Sequence, residues 1–307
     1  MYRAGFLGLI GQPNAGKSSL MNYLVNEKVS IVTDKPQTTR RRILGIASRE
    51  DGQIVFVDAP GIIQAERGLN GFLAKEAEDV IANSDALLAV LSLTEDKPED
   101  VERTLELVTA SKKPWLGVIT KTDVSDKIHR LVRIKEMIEK RGGKFVTVST
   151  KRPQSAQSER EDKLDRELLL TEFVKLLPES PAPLYDVELF TNENVRNLAA
   201  EAIREKCFEF LHQEIPFQLA VRIIKFDEEE TINKIYAEIV VAKENHKSIV
   251  IGKKAQMIKQ IGTESRKAIE DILGTKVFLD LHVIYRDGWF DNQRMMKELG
   301  YVVESAE

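Results

Sequence analysis

The sequence predicts two domains of different class: an α/β domain with a mainly parallel sheet and one antiparallel edge, followed by a smaller α+β domain. Three observations carry this. Apolar runs alternate with helical-period segments through the first half. A proline-rich break, LPESPAPLYD, places Pro178, Pro181 and Pro183 close together near the middle. Beyond it the order changes to helix, strand, strand, helix, helix, strand. At 307 residues the chain is too long for one ordinary core and suits two.

The apolar runs of the first half are Ala4–Ile10, Ile43–Ala47, Ile54–Val57, Ala86–Leu91, Trp115–Ile119 and Phe145–Val148. Leu69–Ala82, Val101–Ala110 and Lys127–Lys140 carry helical periodicity between them. Arg42–Arg49 and Gln53–Asp58, joined by Glu50-Asp51-Gly52, read as a hairpin, which makes one edge antiparallel. KRPQSAQSEREDKLD, from Lys151, is polar and charged and reads as a mobile loop, with a helix from Arg166 to Leu176 after it. The second half opens on a helix over Val195–Leu211. Alternating runs follow at Gln218–Phe226 and Ile232–Ala242, then a helical region, Lys247–Leu273, interrupted by Gly252 and Gly262. A third run spans Lys276–Tyr285, and a short helix lies near Asn292–Leu299. The domains are therefore expected at 1–177 and 194–307, with 178–193 as linker.

Composition narrows the function. A hydrophobic share of 42% with 31% charged residues describes a globular protein. The net charge of −4 excludes a globally basic nucleic-acid binder but leaves room for a local basic patch. The single cysteine, Cys207, excludes an internal disulfide and suits a reducing cytosol. Four scattered histidines assemble no zinc-type cluster. No apolar run approaches the ~20 residues of a membrane span.

The chemistry begins at Gly11. GQPNAGKSS follows the first strand and precedes a helix, so Gly11, Gln12, Pro13, Asn14, Ala15, Gly16, Lys17, Ser18 and Ser19 form a phosphate-binding loop. Its glycines let backbone N–H groups converge on phosphate oxygens, helped by the helix dipole. Lys17 suits the β- and γ-phosphates, and the Ser18 hydroxyl suits Mg²⁺. VDAPG ends the third strand: Asp58 can reach the metal through water, Ala59 and Pro60 carry the turn, and the Gly61 N–H can meet the γ-phosphate. PQTTRRR offers two threonines, either of which could cap the metal. LGVITKTD ends a later strand, where the base belongs in an open sheet. Asp123 can accept from guanine N1–H and N2–H₂, a donor pair that adenine lacks, and the Lys121 stem can lie over the base. Thr120 has one hydroxyl where an amide would both donate and accept, which predicts weaker bracing of the phosphate loop. In VSTK, the backbone N–H after Ser149, that of Thr150, can meet guanine O6.

In the second half, Lys243, Lys247, Lys253, Lys254, Lys259, Arg266 and Lys267 are opposed within their stretch only by Glu244 and Glu264. Lysines around a glycine turn between helices suit a phosphate backbone, and Ile249, Ile251, Met257 and Ile258 suggest either an apolar groove or ordinary core.

These motifs stand in the order of translation-factor-class GTPases. IVIGKKAQMIKQIG resembles the helix–loop–helix of a type II KH domain, and VIYRDGWFDNQRMMKELGY is similar to the segment that ends the Era family. The resemblance covers essentially the whole chain. It implies an α/β P-loop GTPase domain followed by an α+β type II KH domain. GTP/GDP and Mg²⁺ would be its cofactors, Ser18, Thr39 and Asp58 its metal residues, and small-subunit (16S) ribosomal RNA near the 3′ end its partner. The activity it implies is slow GTP hydrolysis in maturation of the 30S-type subunit. The family also implies a cytoplasmic monomer with peripheral contact to the inner membrane. Ile62 stands where Ras-like enzymes place a water-orienting glutamine, so intrinsic hydrolysis should be slow. Asn14 resembles an asparagine that holds K⁺ against the phosphates in related GTPases. By the same resemblance Gly252, Lys253, Lys254, Ala255, Lys247, Lys259 and Arg266 contact RNA. The chain departs from the family at Thr120 (usually Asn), Thr150 (usually Ala) and Ala255 (usually Gly). An alternative is an RNA-binding assembly factor that binds GTP but hydrolyses it poorly.

Overall fold

A computed structural model of the chain describes residues 1–62, 67–95, 97–123, 128–150, 156–229 and 231–301. The chain divides into two compact units, Met1–Ser30 with Thr39–Gln64 and Leu73–Asn192, and Ile31–Thr38 with Ala65–Phe72 and Glu193–Glu307.

The first unit is built on a six-stranded sheet in the order β2-β3-β1-β4-β5-β6. Its strands are β1 (Arg3–Ile10), β2 (Ile43–Ser48), β3 (Gly52–Asp58), β4 (Ala86–Ser92), β5 (Trp115–Thr120) and β6 (Phe145–Thr147). All pairings are parallel except β2–β3, the hairpin edge expected from the sequence. The central strand β4 is buried along its whole length, as a strand covered on both faces must be. Its alternate residues feed two cores. Leu88 and Val90 join Leu20, Met21 and Leu24 of α1 (Lys17–Val25) and Leu169, Leu170 and Phe173 of α5 (Ala156–Val174). Leu87, Ala89 and Leu91 join Val80 of α2 (Gly68–Asn83), Leu105 and Val108 of α3 (Pro98–Ala110), and Ile134 and Ile138 of α4 (Ile128–Glu139). Pro98 opens α3 where its missing N–H costs nothing, with Glu99 and Asp100 complementing the dipole.

One expectation fails here. Residues 156–165, read as a loop, are the first turns of α5, while 151–155 lie outside the described residues. Between residues 159 and 165 the one apolar side chain, Leu164, is exposed, so the stretch shows no apolar period. It is nonetheless rich in strong helix formers, and the apolar turns that follow anchor it. The proline-rich segment runs along the first unit: Ala4 N–H donates to the Pro178 carbonyl, and Ile46 N–H to that of Phe190. The Gln53 side chain brackets Leu184 and Tyr185.

The second unit has a three-stranded sheet in the order β7-β8-β9. β7 (Leu219–Asp227) pairs antiparallel with β8 (Asn233–Val241), which pairs parallel with β9 (Val277–Tyr285). The β8-to-β9 crossover supplies α7 (Glu244–Ile251) and α8 (Gln256–Leu273). One sheet face packs on α6 (Val195–Phe210) and α8 through Ile203, Cys207, Ile261 and Ile269. The other is covered by Trp289, Met296, Leu299 and Tyr301, from the end that carries α9 (Gln293–Glu298). Asn194 and Asn292 cap α6 and α9 by accepting from the N–H groups of Asn197 and Met295. Burial pushes the Cys207 thiol up to about 12, which makes it an inert core group.

Candidate functional site

The phosphate loop lies between β1 and α1, as its sequence requires. Lys17 is buried, 6% exposed, and its Nζ donates to the carbonyls of Gly11 and Gln12 at 3.0 Å each. Burial brings its ammonium down to about 8, against the opposing pull of Asp58. The Gly61 backbone presses on the loop. A Cβ at residue 61 would stand 2.6 Å from Pro13 N, so only glycine fits. Ile62 N–H donates to the Gly11 carbonyl, while its side chain is buried in the core and does not face the site as a water-orienting group would. Ala59 and Pro60 are buried between these contacts, Asn14 adopts a left-handed φ of 62°, and Ser19 lies within α1.

Ser18, Thr39 and Asp58 meet. The Ser18 hydroxyl donates to Asp58 Oδ2 at 2.6 Å, Thr39 donates to the same oxygen at 3.3 Å, and the two hydroxyls lie 2.9 Å apart. Thr39 is thus the threonine that reaches the cluster, while Thr38 bonds to Thr33 and the Lys35 carbonyl. Burial raises the Asp58 carboxyl above its usual range, opposed by Lys17 and then by the hydroxyls of Ser18, Ser30 and Thr39. Asp58 Oδ1 is buried and has no hydrogen-bond partner among the described residues. Two hydroxyls and a carboxylate with an unspent buried oxygen form a hard-oxygen donor set that fits Mg²⁺. Among the described residues no group of three His, Cys, Asp or Glu side chains could hold a softer metal.

Ser30 was not among the residues picked from the sequence. Its hydroxyl also donates to Asp58 Oδ2, at 2.9 Å. A lone serine in NEKVSIV carries no motif that would reveal this.

The base-side residues gather at the ends of β5 and β6. Thr120 ends β5, and its buried hydroxyl donates to the Ala15 carbonyl in the phosphate loop at 2.6 Å. This single donor ties the end of β5 to the phosphate loop. Lys121 follows with φ 58°. Ser149 donates to Asp123 Oδ1 at 3.0 Å, which orients the exposed carboxylate, and Thr150 is half-buried beside it.

In the second unit, α7 and α8 are joined by Gly252-Lys253-Lys254-Ala255. Gly252 has φ 73° and ψ 170°, a region only glycine tolerates, and a Cβ there would stand 2.7 Å from that of Met257. Lys254 and Ala255 both have positive φ, 51° and 58°. Lys253, Lys254, Lys259 and Arg266 are exposed and Lys247 is half-buried. Among the described residues none of these five has an acidic partner, whereas Lys243 pairs with Glu214 and Lys267 with Glu264. A groove of about 400 Å³ runs beside α8, lined by Ile258, Lys259, Gly262, Thr263, Arg266, Leu279 and Leu281. Of the apolar residues expected to form a groove, only Ile258 lines it. Ile251 and Met257 pack on the core, and Ile249 is half exposed.

Two family models match the chain. That of the 50S ribosome-binding GTPases covers residues 6–121, and the KH domain covers 214–289. The GTPase Era of Nitratidesulfovibrio vulgaris is 39% identical over 307 residues, 97% of each chain. That of Geobacter metallireducens is 38% identical over 303 residues, 98% of each. Among solved structures, a variant of Aquifex aeolicus Era bound to GDP and tetrafluoroaluminate is 32% identical with a TM-score of 0.88, over 98% of this chain and all of that one. Era in complex with MgGDPNP and nucleotides 1506–1542 of 16S ribosomal RNA is 32% identical with a TM-score of 0.89, over 99% of this chain and all of that one.

Proposed function

The chain belongs to the Era family of GTPases, and from that premise we propose that it is a GTP-driven switch acting on the 3′ region of small-subunit ribosomal RNA during maturation of the 30S-type subunit. It is a GTPase with a C-terminal KH domain. The observation that carries the nucleotide half is the convergence of Ser18, Thr39 and Asp58 beside Lys17. The RNA half is supported by five cations around the Gly252 loop that have no acidic partner among the described residues, and by the related Era bound to 16S ribosomal RNA.

In this reading the loop's backbone N–H groups and Lys17 hold the β- and γ-phosphates, and Asp123 selects guanine. Mg²⁺, held by Ser18, Thr39 and Asp58, supplies positive charge between the phosphates when bound. The Gly61 N–H would meet the γ-phosphate. Ile62 cannot orient water, so unassisted hydrolysis stays near the slow intrinsic rates, on the order of 10⁻⁴ s⁻¹. Asn14, in the loop, would hold K⁺ as a source of positive charge. Hydrolysis faster in KCl than in NaCl is the expected result, and equal rates would remove K⁺ from the account. The RNA-binding unit would follow the phosphate backbone with Lys247, Lys253, Lys254, Lys259 and Arg266, and seat bases in the groove beside α8.

The test is binding of a single-stranded RNA with the 3′-terminal small-subunit sequence across a salt series. Neutralising about four phosphates predicts a log–log slope of roughly −3. A slope near zero would contradict the RNA assignment.

A further inference from the structure

Three hydroxyls converge on Asp58 Oδ2, and only two belong to the proposed metal site. The third, Ser30, is 1% exposed and donates at 2.9 Å. Asn22 of α1 holds it from both sides of its backbone. Asn22 Oδ1 accepts from Val29 N–H at 3.0 Å and Ser30 N–H at 2.8 Å, and Asn22 Nδ2 donates to the Ser30 carbonyl at 2.7 Å. The serine is thus locked to a helix that begins at Lys17, inside the phosphate loop.

The chemistry gives this arrangement a task. A carboxylate that serves a cation must be ionised and must point one oxygen the right way. A donor fixed from behind fixes the carboxylate's rotation, and with it the direction in which each oxygen points. Ser18 and Thr39 cannot provide that fixed reference, since each would turn a lone pair to the metal. Ser30 is oriented by Asn22 instead, and it leaves Oδ1 as the carboxylate oxygen with no partner among the described residues.

We infer that Ser30, aimed by Asn22, is a positioning residue for the divalent metal of the nucleotide site: it orients Asp58 and so sets how tightly the metal is held. The inference rests on the reading of Ser18, Thr39 and Asp58 as that site.

The experiment uses the full chain loaded with fluorescent GDP. Release is followed while free Mg²⁺ is varied with a chelator buffer, and melting is recorded in parallel. The native chain should release faster as Mg²⁺ falls. Ser30→Ala should need about tenfold more Mg²⁺ for half-maximal slowing, the effect of one lost hydrogen bond to a charged group. Asn22→Ala, which keeps the hydroxyl but removes its aim, should shift the midpoint in the same direction by about threefold, and Ser30→Thr should restore it. A Ser30→Ala midpoint within twofold of the native one would overturn the inference, as would faster release by the same factor at every Mg²⁺ concentration, which marks a purely structural role. A native chain whose release ignores Mg²⁺ would remove the metal site itself, and the inference with it.

Discussion

The two glycine loops proposed to carry the chemistry of this chain are held in opposite ways. The phosphate loop is clamped by its surroundings: Thr120 donates to Ala15, Ile62 N–H to Gly11, and Gly61 leaves no space above Pro13. Its cation, Lys17, is buried and bonded to two loop carbonyls. The Gly252 loop is held by its own backbone, through Gly252 N–H to Ser248 and Ala255 N–H to Gly252. Its cations are exposed and, among the described residues, have no acidic partner. A small ligand of fixed shape rewards a cradle set in advance, because donors already in place cost nothing to order. A flexible polyanion is gripped instead through charge and a backbone that lets it approach.

The difference predicts how each loop breaks. The largest effect belongs to Lys17→Met, which should weaken GTP binding by about 100-fold or more, since charge-assisted bonds to phosphate have no substitute there. Isothermal titration checks it, and RNA affinity in the absence of nucleotide should stay unchanged. Next, Gly252→Ala forces a Cβ into a backbone region reserved for glycine and against Met257, so the RNA-binding unit should lose about 2–3 kcal/mol in chemical denaturation. GTP binding should be untouched. Thr120→Val keeps the shape of β5 but leaves the buried Ala15 carbonyl without its donor. About 1–2 kcal/mol of nucleotide affinity should go, roughly tenfold or so, and Thr120→Ser should recover it. The smallest change is Ala255→Gly. It relieves a left-handed alanine at the cost of a looser unfolded chain, for a net gain of about 0.5–1 kcal/mol. RNA affinity should rise with it; an unchanged affinity would mean that the loop torsion does not limit the contact.

Much of this was legible because it is local. Alternation of apolar runs marked every strand, and a loop of fixed spacing between β1 and α1 announced its phosphate chemistry before any contact was known. What stayed hidden depends on partners distant in sequence. Nothing in NEKVSIV shows that Ser30 meets Asp58, because the meeting is made by Asn22 and the end of β3. Thr120 reads from the sequence as a weaker brace than asparagine, but the partner it braces, the Ala15 carbonyl at 2.6 Å, lies 105 residues away in sequence. The early turns of α5 carry no apolar stripe, so periodicity missed them while propensity would have found them. Ala255 was visible as a departure, but its φ of 58° was needed to turn that into a strain with a sign.

The central claim is that a guanine-specific switch occupies the first unit, and nucleotide competition tests it most directly. Fluorescent GDP on the native chain and on Asp123→Asn is displaced with GTP, ATP and XTP. Guanine selection through Asp123 predicts that the native chain prefers GTP over ATP by about 10⁴ or more, and that the variant turns to XTP. Equal displacement by GTP and ATP on the native chain would contradict the account, because Asp123, although oriented by Ser149, would then not be reading the base.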